Sequence, residues 1–231
     1  MTKRPLYGII GGMGPAASAS FINYIYSQCA GKFKTEQDYP RLILISDANA
    51  PNRLQSYQQD NFEILKQYLI ENVIQLNSYN VNKIMICCLV AHACLKTFPS
   101  ELSPSIINIV SLLDQEITQD NQKTILLSTP MFYELSLLEN KNIIYLDSTE
   151  LQQINFYIHQ MKISGAKSIH ELFISFIKTL LKKYNANSIS LACSDLHLIH
   201  RFIMDEKIPI KFNIIDAVEL AANYIIGDLH S

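Results

Sequence analysis

Short, nearly unbroken apolar runs alternate along this chain with longer stretches in which apolar residues recur every three or four positions. Tyr7 to Ile10 predicts a strand, Gly11-Gly12-Met13-Gly14 a turn, and Ala16 to Ala30 a helix for which Pro15 suits the first position. Arg41 to Ser46 predicts a second buried strand, and the polar stretch Asp47 to Gln58, with Pro51, a long loop. In Asp60 to Ser78 the apolar residues Phe62, Leu65, Leu69, Val73, Ile74 and Leu76 follow helical spacing. Lys83 to Cys87 predicts a third strand, and Ala91 to Thr97 opens a helix before Pro99. Beyond Pro104 the pattern repeats in kind. Strands are predicted at Ile106 to Val110, Lys123 to Leu127, Ile143 to Leu146, Ser188 to Ala192 and Phe212 to Ile215. Between and after them lie Leu112 to Thr118, a strongly amphipathic helix over Ile169 to Lys183, and a helix from Asp216 to Ile226 with Asp216 as N-cap. Strands alternating with helices predict an α/β fold with mostly parallel sheets.

A cysteine closes one apolar strand in each half: Cys88 after Lys83 to Cys87, and Cys193 after Ser188 to Ala192. The two lie about a hundred residues apart, with no strict sequence repeat between them. This echo predicts two similar α/β halves with a cleft between them. In open α/β sheets, ligands bind at the carboxyl ends of the strands. A thiol at each of two such ends can flank one small molecule.

Composition sets bounds on this picture. The chain has 231 residues, 48% apolar and 17% charged, as ordinary globular domains have. The net charge of −2 shows no basic block, so the reading has no nucleic-acid partner. No run reaches the ~18 apolar residues of a membrane span, so it has no membrane partner either. Five cysteines at irregular spacing, with no secretory segment before them, predict free thiols and a reduced, cytoplasmic protein. Cysteine is usually a small buried hydrophobe, which is the reading for Cys29, Cys87 and Cys94. His197 and His200 with Cys193 are too sparse a set for a metal site, so none is expected.

Gly12-Met13-Gly14-Pro15-Ala16-Ala17 fits the outline G-x-G-x-x-A of a dinucleotide loop, with Asp47 as a distant candidate for the ribose-binding acid. Pro15 stands where a backbone N–H would face the pyrophosphate, and no wider pattern follows. Two other readings are preferred. One is a glycine turn that needs positive φ. The other is a loop whose Met13 and Gly14 amides meet a small carboxylate at a helix N-terminus.

The string Tyr7-Gly8-Ile9-Ile10-Gly11-Gly12-Met13-Gly14-Pro15-Ala16-Ala17 closely resembles the N-terminus of the aspartate/glutamate racemase family, in its aspartate racemase branch. The likeness continues at Cys88-Leu89-Val90-Ala91-His92, where that family usually carries C-N-T-A-H, and at Ala192-Cys193-Ser194-Asp195, where it carries G-C-T-E. The resemblance implies two pseudo-symmetric α/β domains, each a mostly parallel four-stranded sheet flanked by helices, with the active site in the cleft between them. The expected division is residues 1–108 plus 212–231 against residues 109–211. The resemblance also implies catalysis by Cys88 and Cys193, no cofactor (pyridoxal phosphate included), and a homodimer. Arg53 matches an arginine that holds the substrate's side-chain carboxylate, and Lys162, before Gly165, matches a lysine of aspartate racemases.

The α-proton of an amino acid is a poor acid, and racemisation needs a base on one face and an acid on the other. Two thiols can fill both roles when one is ionised, which a helix N-terminus or a nearby cation favours. Arg53 and Lys162 then bind carboxylates, Ser194 offers a hydroxyl, and His92 and Asp195 support proton transfer. Leu89 and Val90 depart from the family's polar pair and contact the substrate through backbone alone, which makes the site more apolar. Ser128-Thr129-Pro130 likewise replaces a T-G-T-like loop. The expected function is cofactor-independent racemisation of aspartate or glutamate. The alternative is a racemase-like amino-acid-binding protein with altered substrate or little turnover.

Overall fold

The computed structural model of this protein describes residues 4–229. Its elements run, in order, β1 (Leu6–Gly11), α1 (Pro15–Cys29), β2 (Arg41–Ser46), α2 (Arg53–Asp60), α3 (Glu63–Ser78), β3 (Lys83–Ile86), β4 (Ile106–Ile107) and α4 (Ile109–Asp120). There follow β5 (Thr124–Leu127), α5 (Pro130–Glu134), β6 (Ile143–Ile144), α6 (Ser148–Ser164), α7 (Ala166–Tyr184), β7 (Ser188–Leu191), α8 (Ser194–Asp205), β8 (Asn213–Asp216) and α9 (Ala217–Asp228). A 3₁₀ segment, Val90–Thr97, follows β3 in place of the expected α-helix. The chain divides into two compact units, one running through Ile109 and resuming at Val218, the other Val110–Ala217.

Each unit holds one four-stranded, all-parallel sheet, and the two share a strand order: β2-β1-β3-β4 in the first and β6-β5-β7-β8 in the second. The inner strands read as continuous apolar or small-residue runs because helices cover both of their faces. In β5 and β7 every residue is buried. In both sheets the chain leaves its first strand toward one edge and later returns toward the other. The adjacent carboxyl ends of β1 and β3, and of β5 and β7, are therefore topological switch points, where open α/β sheets place their ligands.

Several local expectations are corrected. Arg41–Ser46 is a strand but not a buried one; its residues are exposed or half-buried because it forms a sheet edge. Residues 53–58, expected as loop, belong to α2, because Asn52 caps its N-terminus by accepting from the Leu54 and Gln55 amides at 3.0 and 3.2 Å. The helix expected from Asp60 starts at Glu63. Asn61 and Phe62 turn left-handed (φ 52° and 73°), and the Asn61 and Phe62 amides close the end of α2 on the Tyr57 and Ser56 carbonyls. Phe62 is held there by burial against the Tyr57 ring, 5.2 Å away between centroids. The residues 212–217, expected with the first half, belong to the second unit, since β8 pairs with β7 from Ser188↔Asn213 to Leu191↔Asp216. Helices α5 and α6 lie where the apolar pattern marks no helix.

Candidate active site

In the first unit the switch point brings the glycine loop beside Cys88. Ile10 pairs with Ile86, and one step further the Cys87 amide donates to the Ile10 carbonyl at 2.9 Å. Position 12 requires glycine twice over: its φ is 83°, and a Cβ there would lie 2.1 Å from the Asp47 carbonyl oxygen. Its amide donates to Ser18 Oγ, and Ser18 Oγ donates in turn to the Gly14 carbonyl, both at 3.1 Å. Asp47 Oδ1 accepts from the Asn49 amide at 2.8 Å, so this carboxylate shapes its own turn. These contacts shape the loop as a glycine turn. Arg53, the first residue of α2, donates from Nη2 to the Met13 carbonyl at 2.9 Å. A guanidinium carries five N–H donors in a planar fork, so this contact leaves the group able to meet a carboxylate.

Cys88, Leu89 and Val90 are all buried, at 7, 2 and 9% exposure. His92 is buried with them, and both its ring nitrogens are engaged. Nε2 accepts from the Ile109 amide at 3.3 Å, which leaves Nδ1 as the donor to the Cys88 carbonyl at 3.0 Å. Burial pushes the imidazole down to about 4, so it is neutral at physiological pH. The ring ties the Cys88 carbonyl to the amide that opens α4.

In the second unit Ala192 and Cys193 join β7 to α8, with Cys193 as that helix's N-cap residue. Ser128, one residue past β5, donates from Oγ to the Ala192 carbonyl at 2.6 Å, and the Ala192 amide donates to the Leu127 carbonyl at 2.8 Å. Ser194 and Asp195 occupy the first turn of α8 and are buried. Lys162, in the last turn of α6, reaches Asp195 with 2.8 Å between Nζ and Oδ2. Two residues singled out separately in the sequence are thus an ion pair. Cys29, Cys87 and Cys94 are buried, as expected, and burial pushes the Cys94 thiol up to about 12.

Asp216 carries more than the expected helix-capping position. Its Oδ2 accepts from His197 Nδ1 at 2.8 Å and from His200 Nδ1 at 2.9 Å, all three residues being buried. Burial by itself raises a carboxyl, but the two imidazoles, His197 foremost, reverse this and hold Asp216 far below the usual carboxylate range. With Glu219 these residues bring four ligand-type atoms within 4.8 Å of one another, and the Nδ1 atoms of His197 and His200 are bonded to the Asp216 carboxylate. The signal for this cluster was the i, i+3 spacing of His197 and His200, with an acid ending the next apolar strand. Ser128 was marked only as part of a replaced loop, and Asn52 gave no signal beyond its residue type.

The family described as Asp/Glu/Hydantoin racemase matches residues 10–225. The chain belongs to this family. A curated relative, the broad specificity amino-acid racemase RacX of Bacillus subtilis, is 24% identical over 213 residues, covering 89% of this chain and 91% of its own. Among solved structures, Picrophilus torridus aspartate racemase superposes with a TM-score of 0.77 at 23% identity, covering 98% of this chain and 94% of its own. Glutamate racemase from Francisella tularensis, solved with D-glutamate, gives 0.60 at 15%, covering 100% and 82%. At these identities the structural likenesses establish the fold: an α/β protein with two parallel sheets, as in the racemases. Among the described residues no helix is long and apolar enough to cross a membrane.

Proposed function

We propose that this racemase-family protein interconverts the L and D forms of aspartate or glutamate without a cofactor, through Cys88 and Cys193. One observation carries the reading. In both units a cysteine follows an inner parallel strand, two residues past its end, at the sheet's switch point. One thiolate takes the α-proton and becomes a thiol, leaving the electron pair as a carboxylate-stabilised carbanion. The other thiol gives its proton to the opposite face and becomes the thiolate. No electrons are gained or lost, and the return reaction reverses the two roles.

The remaining residues bind. Arg53 takes the side-chain carboxylate, and the backbone of Met13 and Gly14 takes the α-carboxylate. Leu89 and Val90, being apolar, contribute backbone amides and contact area. Ser194 offers its hydroxyl, and Lys162, with its charge balanced by Asp195, donates to a substrate carboxylate. The reading carries the homodimer and the cytoplasmic setting implied by the sequence resemblance. The apolar pair Leu89 and Val90 favours one competing reading, a binding protein with little turnover.

Initial rates with L-aspartate, L-glutamate and L-alanine test the assignment of substrate, with Arg53→Ala beside the unaltered protein. A charge-assisted carboxylate contact of about 3 kcal/mol predicts a loss near a hundredfold in kcat/KM for the acidic substrates and little change for alanine. Undiminished turnover of aspartate and glutamate by Arg53→Ala would remove the arginine from the site. Binding of an acidic amino acid without turnover would establish the competing reading.

A further inference from the structure

The proposed chemistry leaves His197, His200 and Asp216 unused. A buried carboxylate shared by two buried imidazoles is an unusual way to dock a helix on a strand, since apolar residues do so without the cost of desolvating a charge. What the polar contact adds is direction, because it fixes one lateral position of α8 over β8.

That position bears on Cys193 through a closed ring of connections, all within the second unit. Asp216 is fixed in β8 by its register with Leu191, two residues before Cys193. From there the chain passes through Ala192, held by Ser128 Oγ and by the Leu127 carbonyl, to Cys193. The joint between strand and helix is two residues long, Ala192 and the extended Cys193 (φ −144°, ψ 125°). His197, four residues on, then returns to Asp216 Oδ2, and His200 reinforces it one turn later. The same residue thus meets the backbone before the thiol through its strand pairing and the helix after it through its side chain.

We propose that Asp216 and His197 are positioning residues for the Cys193 thiol, acting through the seating of α8; this rests on the two-thiol reading above. Proton transfer to carbon is sensitive to displacements of about 1 Å in the reacting group. The two bonds to Asp216 Oδ2 tie α8 to one position over β8 beyond what packing supplies. His200 is the second tie, so its loss has the smaller effect.

The test separates the bond from the volume it occupies. Asparagine at position 197 places an N–H donor close to where Nδ1 stands but loses the ring; leucine fills the space and has no donor. Exchange of the α-proton in D2O is followed separately from each enantiomer, in the unaltered protein, His197→Leu, His197→Asn and Asp216→Asn. For the enantiomer whose exchange Cys193→Ala abolishes, His197→Leu is expected to lose tenfold or more and His197→Asn to stay within threefold. The other enantiomer should change less than twofold in all of them. The opposite ranking, or equal losses for both enantiomers, would overturn the proposal in favour of simple packing. Should His197→Leu not fold, as judged by circular dichroism, Asp216→Asn and His197→Asn decide the matter by the same asymmetry. Iodoacetamide labelling, read by mass spectrometry, needs no turnover. Cys193 should label at least fivefold faster in His197→Leu or Asp216→Asn, with Cys88 unchanged. Absence of exchange from any amino acid in the unaltered protein would refute the racemase reading, and the labelling rates alone would then uphold or refute the clamp.

Discussion

His92 shows how a single residue is decided by its surroundings. From sequence it sits four positions after a cysteine, where a proton-transfer partner is plausible. In the fold both ring nitrogens are spent on backbone groups, and burial keeps the ring neutral. This has a consequence for stability. The imidazole titrates near 6.5 when the chain is unfolded and near 4 when it is folded. Between those values the unfolded chain binds more protons. Stability is therefore complete above pH 6.5 and falls as pH drops through the window, by about 3 kcal/mol when crossed. Urea unfolding at pH 6.5 and pH 4.5 should show a steeper loss in the unaltered protein than in His92→Asn. Equal losses would mean that His92 is not held neutral in the fold.

Among the elements, helix α2 matters most to the site and was the hardest to foresee. Its sequence, Arg53-Leu54-Gln55-Ser56-Tyr57-Gln58-Gln59-Asp60, has no apolar stripe, and Pro51 before it suggests a loop. A single cap at Asn52 and the tertiary setting override that weak pattern. The helix places Arg53 at its first position, bonded to the glycine loop. Asn52→Ala is expected to cost about 1 kcal/mol of stability. It should also raise KM for acidic substrates more than it lowers kcat, since the guanidinium loses its mounting. A kcat loss with unchanged KM would contradict this. The strands, by contrast, were legible almost to the residue at β1, β2, β3, β5 and β7, because strands covered on both faces must read as apolar runs. That rule misled in one respect, since β2 is equally apolar yet lies at an edge. Helix α6 was missed because its polar and apolar residues are too mixed to show a stripe, although its Asp147 and Glu150 form a capping box.

At the scale of the molecule, what the sequence made legible was a repeated architecture: two mostly parallel sheets, each with a cysteine closing an apolar strand, to which the structure adds one shared strand order. The motif strings at Gly12–Pro15, Cys88 and Cys193 pointed to the family that residues 10–225 match. What they did not reveal were the long-range bonds that hold the two cysteine turns. These were Ser128 to Ala192, His197 and His200 to Asp216, and His92 to Ile109, all joining residues 16 to 64 positions apart. No local pattern encodes such pairings. The measurement that tests the account most directly is α-proton exchange in D2O, followed by NMR on L- and D-aspartate and on L- and D-glutamate without pyridoxal phosphate, with Cys88→Ala and Cys193→Ala beside the unaltered protein. The account predicts exchange with inversion in the unaltered protein and none with inversion in either variant, each variant keeping exchange from one enantiomer only. Normal racemisation by both variants would contradict the two-thiol mechanism.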